Sequence, residues 1–378
     1  MKGVQINTVL ELHRQGQSVW LDYIRRGLIS SGELQRLVAE DGLRGVTSNP
    51  SIFEKAIDES TDYDEALREL LAADPNRGAR ELYDELSIED VRNAADTLRP
   101  TYEESAIADG FVSIEPPPQL TQDTARTVAE ARRLWRAINR PNLMIKVVAT
   151  SEGVAAVEAL ISEGINVNIT LMFSLRHYEA VANAYLRGLE RCREPAKVAS
   201  VASFFVSRVD TDADRALDAI GTADALALRG KVAIANAKLA YRRFREIFHG
   251  EPFRTLRRRG AHVQRPLWAS TSTKNPNYRD VMYIEELIGP DTVNTIPPGT
   301  LKAFRDHGQV RGATVAQGWA EASDVLSRLA KLTIDLGAIT ERLQTEGIAT
   351  FAVAYDRVLA AVGKKRHAIL AEVALMKR

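Results

Sequence analysis

A (β/α)8 barrel, the TIM-barrel class of α/β fold, with additional helices at its N-terminal and C-terminal ends, is what the sequence predicts, and three observations carry that expectation. Eight short apolar or alternating segments recur between stretches of helical spacing, the pattern of repeated β-α units on a parallel sheet. No Gly-x-Gly-x-x-Gly or Walker pattern occurs, although a doubly wound open sheet would usually carry one after its first strand. At the ends of several segments, polar residues fall in phase around a lysine in an otherwise apolar run, which suits a barrel mouth.

The expected strands begin with 18–23 (SVWLDY), 43–49 (LRGVTSN), which closes on Asn49 before Pro50, and 110–115 (GFVSIE), which closes on Glu115 before three prolines. The fourth, 142–149 (NLMIKVVA), is apolar except for Lys146 and the fifth, 165–171 (INVNITL), alternates polar Asn166, Asn168 and Thr170 with Val167 and Ile169. The remaining three are 198–206 (VASVASFFV), 266–271 (PLWAST) and 292–296 (TVNTI). Helix signals fill the gaps, including Ser30-x-x-Glu33 as a capping box and Pro50 in a first turn. The long sixth connection is helix-rich over 222–249 and basic over 254–259, which is expected to be a solvated face. Beyond 312, Val315, Trp319, Ala322, Leu326, Leu329, Leu332 and Leu336, then Phe351, Tyr355, Val358 and Val362, repeat at helical spacing. The expected division is therefore a catalytic barrel over 1–312 and, over 313–378, a helical extension packed on the barrel rather than an independent domain. Those helices could cover the barrel mouth or form the contact of a homodimer.

Charge and composition narrow the function. Lys plus Arg and Asp plus Glu number 50 each in 378 residues, so no overall basic field draws nucleic acid or an anionic membrane. The single cysteine, Cys192 in a charged Arg-Cys-Arg stretch, excludes an internal disulfide framework and reads as a surface thiol. The N-terminal Met-Lys-Gly-Val-Gln-Ile-Asn lacks a secretory apolar core and no apolar run reaches the ~20 residues of a membrane helix. A cytoplasmic protein is expected.

The chemistry is concentrated where the barrel strands would end. A buried lysine is rare because an ammonium leaves water at great cost unless it is paired or deprotonated, and a deprotonated amine can attack a ketone to form a Schiff base. Met144, Lys146 and Val148 share one face of the fourth strand, and Asn166, Asn168 and Thr170 one face of the fifth. Glu115 is in phase with Ser113 and Phe111, Asn49 with Thr47, Asp22 with Trp20, and Ser203 with Phe205, with Arg208 just beyond. Two carboxylates, several amides and hydroxyls and one lysine at a single mouth would be an expensive core filling, so they point to a site. Two other patterns are set aside. Asn168-Ile-Thr170 matches a glycosylation acceptor but lies in a strand, and Asp210, Asp212 and Asp214 resemble a calcium loop but place Arg215 where glycine is needed and Gly221 where glutamate is needed. The six histidines show no ligand spacing, so no metal is expected, and a lysine imine absorbs a carbanion's charge as an enamine without an organic cofactor, so none is expected either.

With these residues in place, the chain resembles the transaldolase family, Schiff-base enzymes of the pentose phosphate pathway. Gly45-Val-Thr-Ser-Asn-Pro-Ser-Ile-Phe53 is similar to the family's first signature, Leu143-Met-Ile-Lys-Val-Val-Ala-Thr-Ser-Glu-Gly153 to its lysine signature, and Ile165-Asn-Val-Asn-Ile-Thr-Leu-Met-Phe-Ser174 to a third block. The resemblance implies sugar phosphate substrates and assigns roles by position. Lys146 would form the Schiff base, Glu115 would handle its protons through a water near Thr170, and Asp22 would take the C4-hydroxyl proton. Asn49, Asn168 and Ser203 would hold the dihydroxyacetone unit, while Arg208 and Ser270 would bind phosphate. Two positions depart from the family pattern. Ser272 stands where many members have an arginine, with Lys274 as the expected replacement, and Val148 stands where a smaller residue or proline is common. The nearest alternative is a fructose 6-phosphate aldolase, against which Glu115 and Phe205 speak, since a phenyl ring has no proton to give an enamine. A non-catalytic sugar-phosphate-binding barrel would be expected to have lost Lys146, Asp22 or Glu115, and all three are present.

Overall fold

The computed structural model describes residues 7–376, so all but the last residue of the N-terminal stretch considered above lies outside it. Eight parallel strands form a closed barrel in sequence order: β1 (Gln17–Asp22), β2 (Gly45–Thr47), β3 (Phe111–Ile114), β4 (Leu143–Val148), β5 (Val167–Met172), β6 (Ser200–Phe205), β7 (Gln264–Ala269) and β8 (Thr292–Ile296). The circle closes where β1 pairs with β8, Gln17 opposite Thr292. All eight strands overlap the segments expected; β1 begins one residue early, β5 ends one residue late and β7 begins two residues early. Gln264 and Arg265 pair with Ser200 and Val201 although they are polar, and the Gln264 amide donates to the Ser200 hydroxyl at 3.0 Å.

Around the first half of the barrel run α1 (Thr8–Arg14), α2 (Arg26–Ser30), α3 (Glu33–Asp41), α4 (Pro50–Asp58), α5 (Asp64–Ala73), α6 (Ala79–Glu104), α7 (Thr124–Ile138) and α8 (Ser151–Ser162). The second half carries α9 (Leu175–Arg191), α10 (Ser207–Ile220), α11 (Ala223–Leu226), α12 (Val232–Phe248), α13 (Arg254–Arg258), α14 (Met282–Glu286) and α15 (Pro298–His307). Two more helices follow, α16 (Trp319–Lys331) and the 41-residue α17 (Leu336–Met376). Among the described residues no helix is long and apolar enough to cross a membrane.

Three local expectations need correction. Ser30 does not open a capping box, because it is the last residue of the short α2; the Ser31 hydroxyl accepts from the Glu33 N–H instead, beside Gly32 at φ 75°. Cys192 is buried, since the chain leaves α9 there and turns the thiol inward between its two arginines. The basic run is not purely a solvated face. Arg259 donates to the carbonyls of Leu189, Glu190 and Cys192, filling acceptors that the end of α9 leaves open.

The lower half of the barrel is plugged by packing and by one ionic network. Trp20 is fully buried, and its ring lies so close to Gly45 that a Cβ there would come within 2.5 Å. Below it the Asp109 carboxylate accepts from the Ser18 hydroxyl at 2.7 Å, the Trp20 indole at 3.3 Å and the Arg265 guanidinium at 3.0 Å. Arg265 also donates to the Ser18 hydroxyl and the Thr292 carbonyl, joining β1, β7 and β8. The chemistry is thereby left to the opposite end.

The C-terminal helices use their periodic apolar faces within the chain. α16 packs on α12, and α17 crosses from α10 over β5 to α4, α5 and α6.

Candidate active site

Lys146 sits in the middle of β4 and is only 6% exposed. Its ammonium donates to the Ser48 carbonyl at 3.1 Å and meets Glu115 Oε2 at 3.4 Å. Glu115 follows β3 directly, held there by the prolines behind it. Burial raises its pKa, Lys146 opposes that by charge and hydrogen bond, and Asp22 adds to the rise. Glu115 Oε1 and Thr170 Oγ1 are both buried with no partner among the described residues. The Glu115 carboxyl beside the amine is able to hold and move a proton, and Thr170 stands two residues past Asn168 on the same face of β5.

On β5, Asn168 lies opposite Lys146 in the register. Its amide donates to the Ser113 hydroxyl at 3.0 Å and accepts from the Ser203 hydroxyl at 2.6 Å, so β3, β5 and β6 fix one rotamer. Asn166, two residues earlier, is structural: it bridges the Pro141 and Leu143 carbonyls and the Ala199 N–H. Asn49 is the N-cap of α4, accepting from the Ile52 N–H at 3.0 Å ahead of Pro50. Capping uses its oxygen and leaves its amide N–H groups available.

Asp22 ends β1 and accepts from the Thr47 hydroxyl at 2.8 Å, and Thr47 in turn touches the Thr295 hydroxyl at 2.6 Å. Burial raises the Asp22 pKa, while the Thr47 hydroxyl and the charges of Lys146 and Lys274 pull it back down. An ionised Asp22 is therefore a stronger base than a solvated aspartate yet remains held by one donor.

The cationic end of the site lies past β6 and β7. The Phe205 ring packs on Phe173 at 5.2 Å between centroids, and the Arg208 guanidinium lies 5.6 Å from the Phe205 ring. The Ser207 and Ser270 hydroxyls are 2.9 Å apart, and Ser270 adopts a left-handed φ of 55° as the chain turns out of β7. Lys274 donates to the Ser272 hydroxyl at 2.6 Å. Its pKa is lowered by burial first and then by Arg208, and raised by Asp22, so this ammonium feels both ends of the site. Asp214 accepts from the Tyr278 hydroxyl and the Gly230 N–H, and Asp210 from the Tyr283 hydroxyl and the Ala233 N–H. These aspartates therefore secure the loop that carries Lys274. Among the described residues no cluster of three or more His, Cys, Asp or Glu side chains is placed to hold a metal ion.

The model of the transaldolase/fructose-6-phosphate aldolase family matches residues 19–362. The chain belongs to that family. Transaldolase from Thiobacillus denitrificans is 48% identical over 362 residues, covering 95% of this chain and 100% of that one. Transaldolase from Frankia alni is 45% identical over 363 residues, covering 95% and 97%, and transaldolase 1 from Streptomyces avermitilis is 47% identical over 365 residues, covering 94% and 96%. The chain is thus an enzyme of the transaldolase family, and the matched span contains every residue described in this site as well as the first half of α17.

Within that family frame, several groups join the site that carry little signal in the sequence. Thr47 and Ser113 share strand faces with Asn49 and Glu115, but a hydroxyl on a strand is unremarkable until its partner is known. Thr295 on β8, the Ser48 carbonyl and Phe351 on α17 gain significance only from contacts between distant segments.

Proposed function

We propose that this chain transfers a dihydroxyacetone unit between sugar phosphates, converting sedoheptulose 7-phosphate and glyceraldehyde 3-phosphate to erythrose 4-phosphate and fructose 6-phosphate through a Schiff base on Lys146. The observation that carries this reading is a buried lysine amine with a carboxyl at 3.4 Å and an anchored amide opposite it on the neighbouring strand.

In this reading the Lys146 amine attacks the C2 ketone of the donor, and Glu115, with a water between it and Thr170, protonates the departing hydroxyl so that an imine forms. Asp22 takes the C4-hydroxyl proton as the C3–C4 bond breaks, the aldose phosphate leaves and the electron pair rests in an enamine. The enamine carbon then attacks the acceptor aldehyde, Asp22 returns its proton, and water frees the product. Asn49, Asn168 and Ser203 hold the three-carbon hydroxyls, a restriction that brings the reacting atoms into line. Arg208, Ser270 and Lys274 bind phosphate, Arg208 by a forked pair of hydrogen bonds and Lys274 as a point charge, with Phe205 packing alongside. Residues 313–378 belong functionally to the barrel of 1–312 in this view, because α17 reaches the reactive lysine.

The test is the release of glyceraldehyde 3-phosphate from fructose 6-phosphate with and without erythrose 4-phosphate. Release that depends on the acceptor supports transfer; equal release without it would make the chain an aldolase, and none in either case would leave a binding protein.

A further inference from the structure

The helix α17 brings an aromatic ring to the reactive amine. Thr340, Gln344, Gly347, Phe351, Tyr355, Val358 and Val362 follow helical spacing and are buried, so they form the face that meets the barrel. Gln344 donates to the Ala149 carbonyl at 3.0 Å and the Leu171 carbonyl at 3.1 Å, just past the end of β4 and within β5. Leu171 is free to receive that bond because it adopts a left-handed φ of 54° where the β5–β6 register shifts. Gly347 lets the helix come close, since a Cβ there would lie 2.9 Å from the Leu171 side chain. Two turns beyond Gln344, about 10 Å along the helix, the Phe351 ring centroid lies 5.7 Å from Lys146 Nζ. On its far side Tyr355 packs edge-on against Tyr83, and Tyr83 against Phe53 of α4. The ring is thus held between two anchors and is buried.

Ser48 and Glu115 receive hydrogen bonds from the amine, while Phe351 presents an apolar ring to it. A phenyl face suits both states of an imine cycle. It attracts a protonated imine through its quadrupole, and it offers no proton to the enamine that follows. Water at that place would end the cycle early. One water is consumed overall: a proton goes to the enamine carbon C3, the water oxygen becomes the C2 carbonyl oxygen, the C2–N bond breaks and the Lys146 amine is regenerated as free dihydroxyacetone leaves.

We propose that Phe351 is a specificity-determining residue of this site: its ring roofs the Lys146 imine and enamine, excludes water, and so favours transfer to an aldehyde over release of the three-carbon fragment. This rests on the Schiff-base reading above. The experiment measures, for wild type, Phe351→Ala and Phe351→Leu, the ratio of glyceraldehyde 3-phosphate formed from fructose 6-phosphate without acceptor to that formed with erythrose 4-phosphate. Being a ratio, it does not depend on how much of each variant is folded. The expected result is a rise of about tenfold for Phe351→Ala through admitted water and a value near wild type for Phe351→Leu, which restores apolar cover. An Ala ratio equal to wild type, or a Leu ratio that rises as far as the Ala ratio, would overturn the roof. Borohydride trapping with fructose 6-phosphate, located by mass spectrometry, separates the two levels. Wild type that is not trapped on Lys146 overturns the Schiff-base reading and the roof with it; trapping with an unchanged ratio overturns the roof alone.

Discussion

Replacing Thr47 by valine keeps the shape of a buried strand residue and deletes one hydroxyl, which donates to Asp22 at 2.8 Å. That hydroxyl has a single proton, so the 2.6 Å contact with Thr295 must run from the Thr295 hydroxyl to the Thr47 oxygen. A hydrogen bond to an ionised group is worth about 1.5–3 kcal/mol, which predicts a fall in kcat/KM of about 10- to 100-fold near neutral pH. The sign with pH follows from the role of the hydroxyl. Thr47 lowers an Asp22 pKa that burial raises, so its loss lets that pKa climb further. The base must be ionised to work, and the acid limb of the kcat/KM profile should therefore move to higher pH, with the deficit shrinking at alkaline pH. Thr295→Val removes one neutral hydrogen bond one step further away, worth about 0.5–1.5 kcal/mol, and should lower kcat/KM by about tenfold or less with a smaller displacement of the limb. Steady-state profiles from pH 5 to 9 for the two variants decide the matter. An acid limb that stays in place in Thr47→Val, with a uniform loss of rate, would refute the role of the Thr47 hydroxyl on Asp22, and so would a Thr295 variant worse than the Thr47 one.

Three further outcomes are expected. Lys146→Ala should abolish turnover and borohydride trapping while the circular dichroism of the fold is retained, and a rate equal to wild type would exclude the imine route. Gly45→Ala drives a methyl to within 2.5 Å of the buried Trp20 ring; overpacking of this kind costs about 1–3 kcal/mol, so thermal denaturation should show a lower Tm, and an unchanged Tm would mean that the ring can yield. Burial raises the Asp210 pKa from the ordinary aspartate value of 3.8 to about 7, so the folded state binds the extra proton between these values and wild type loses stability as pH rises through that window. Asp210→Asn has no such proton to lose, and its urea midpoint relative to wild type should improve from pH 5 to pH 8; a difference constant with pH would contradict this.

The barrel was legible because its strands are short, apolar and regularly separated, and because three of the expected segments stop at prolines. Much of the site was legible for a related reason. Alternation puts Lys146, Asn168, Asp22 and Glu115 at predictable positions once the strand ends are known. Hydroxyl partners such as Ser113, Thr47 and Thr295 were not, because threonine and serine suit any strand and only the partner across the barrel gives them a task. Phe351 was readable as one member of an apolar helical stripe, yet its meeting with Lys146 spans more than half the chain and leaves no local trace. The three aspartates on α10 failed as a metal loop on sequence grounds, and their hydrogen bonds to Tyr283, Ala233, Tyr278 and Gly230 show what two of them do instead. Arg259 misled through its charged neighbours, since a guanidinium can cap a helix as readily as it can face solvent.

The network around Arg265 acts as the clasp of the fold. Asp109 and Ser18 are 91 residues apart, Arg265 and Asp109 156, and Arg265 and Ser18 247, yet all meet beneath Trp20. Contacts between such distant segments bear a large loop-closure entropy and form late, after local β-α units have already collapsed. The expected order on the folding route is therefore an open, incompletely wound ring before the closed one, with the β1 and β8 edges exposed to pairing with other chains until the guanidinium arrives. Loosening the clasp in Arg265→Met should accelerate unfolding in urea-jump experiments while refolding through the early steps keeps its wild-type rate; slowed refolding at unchanged unfolding would instead place closure of the ring at the start of the route.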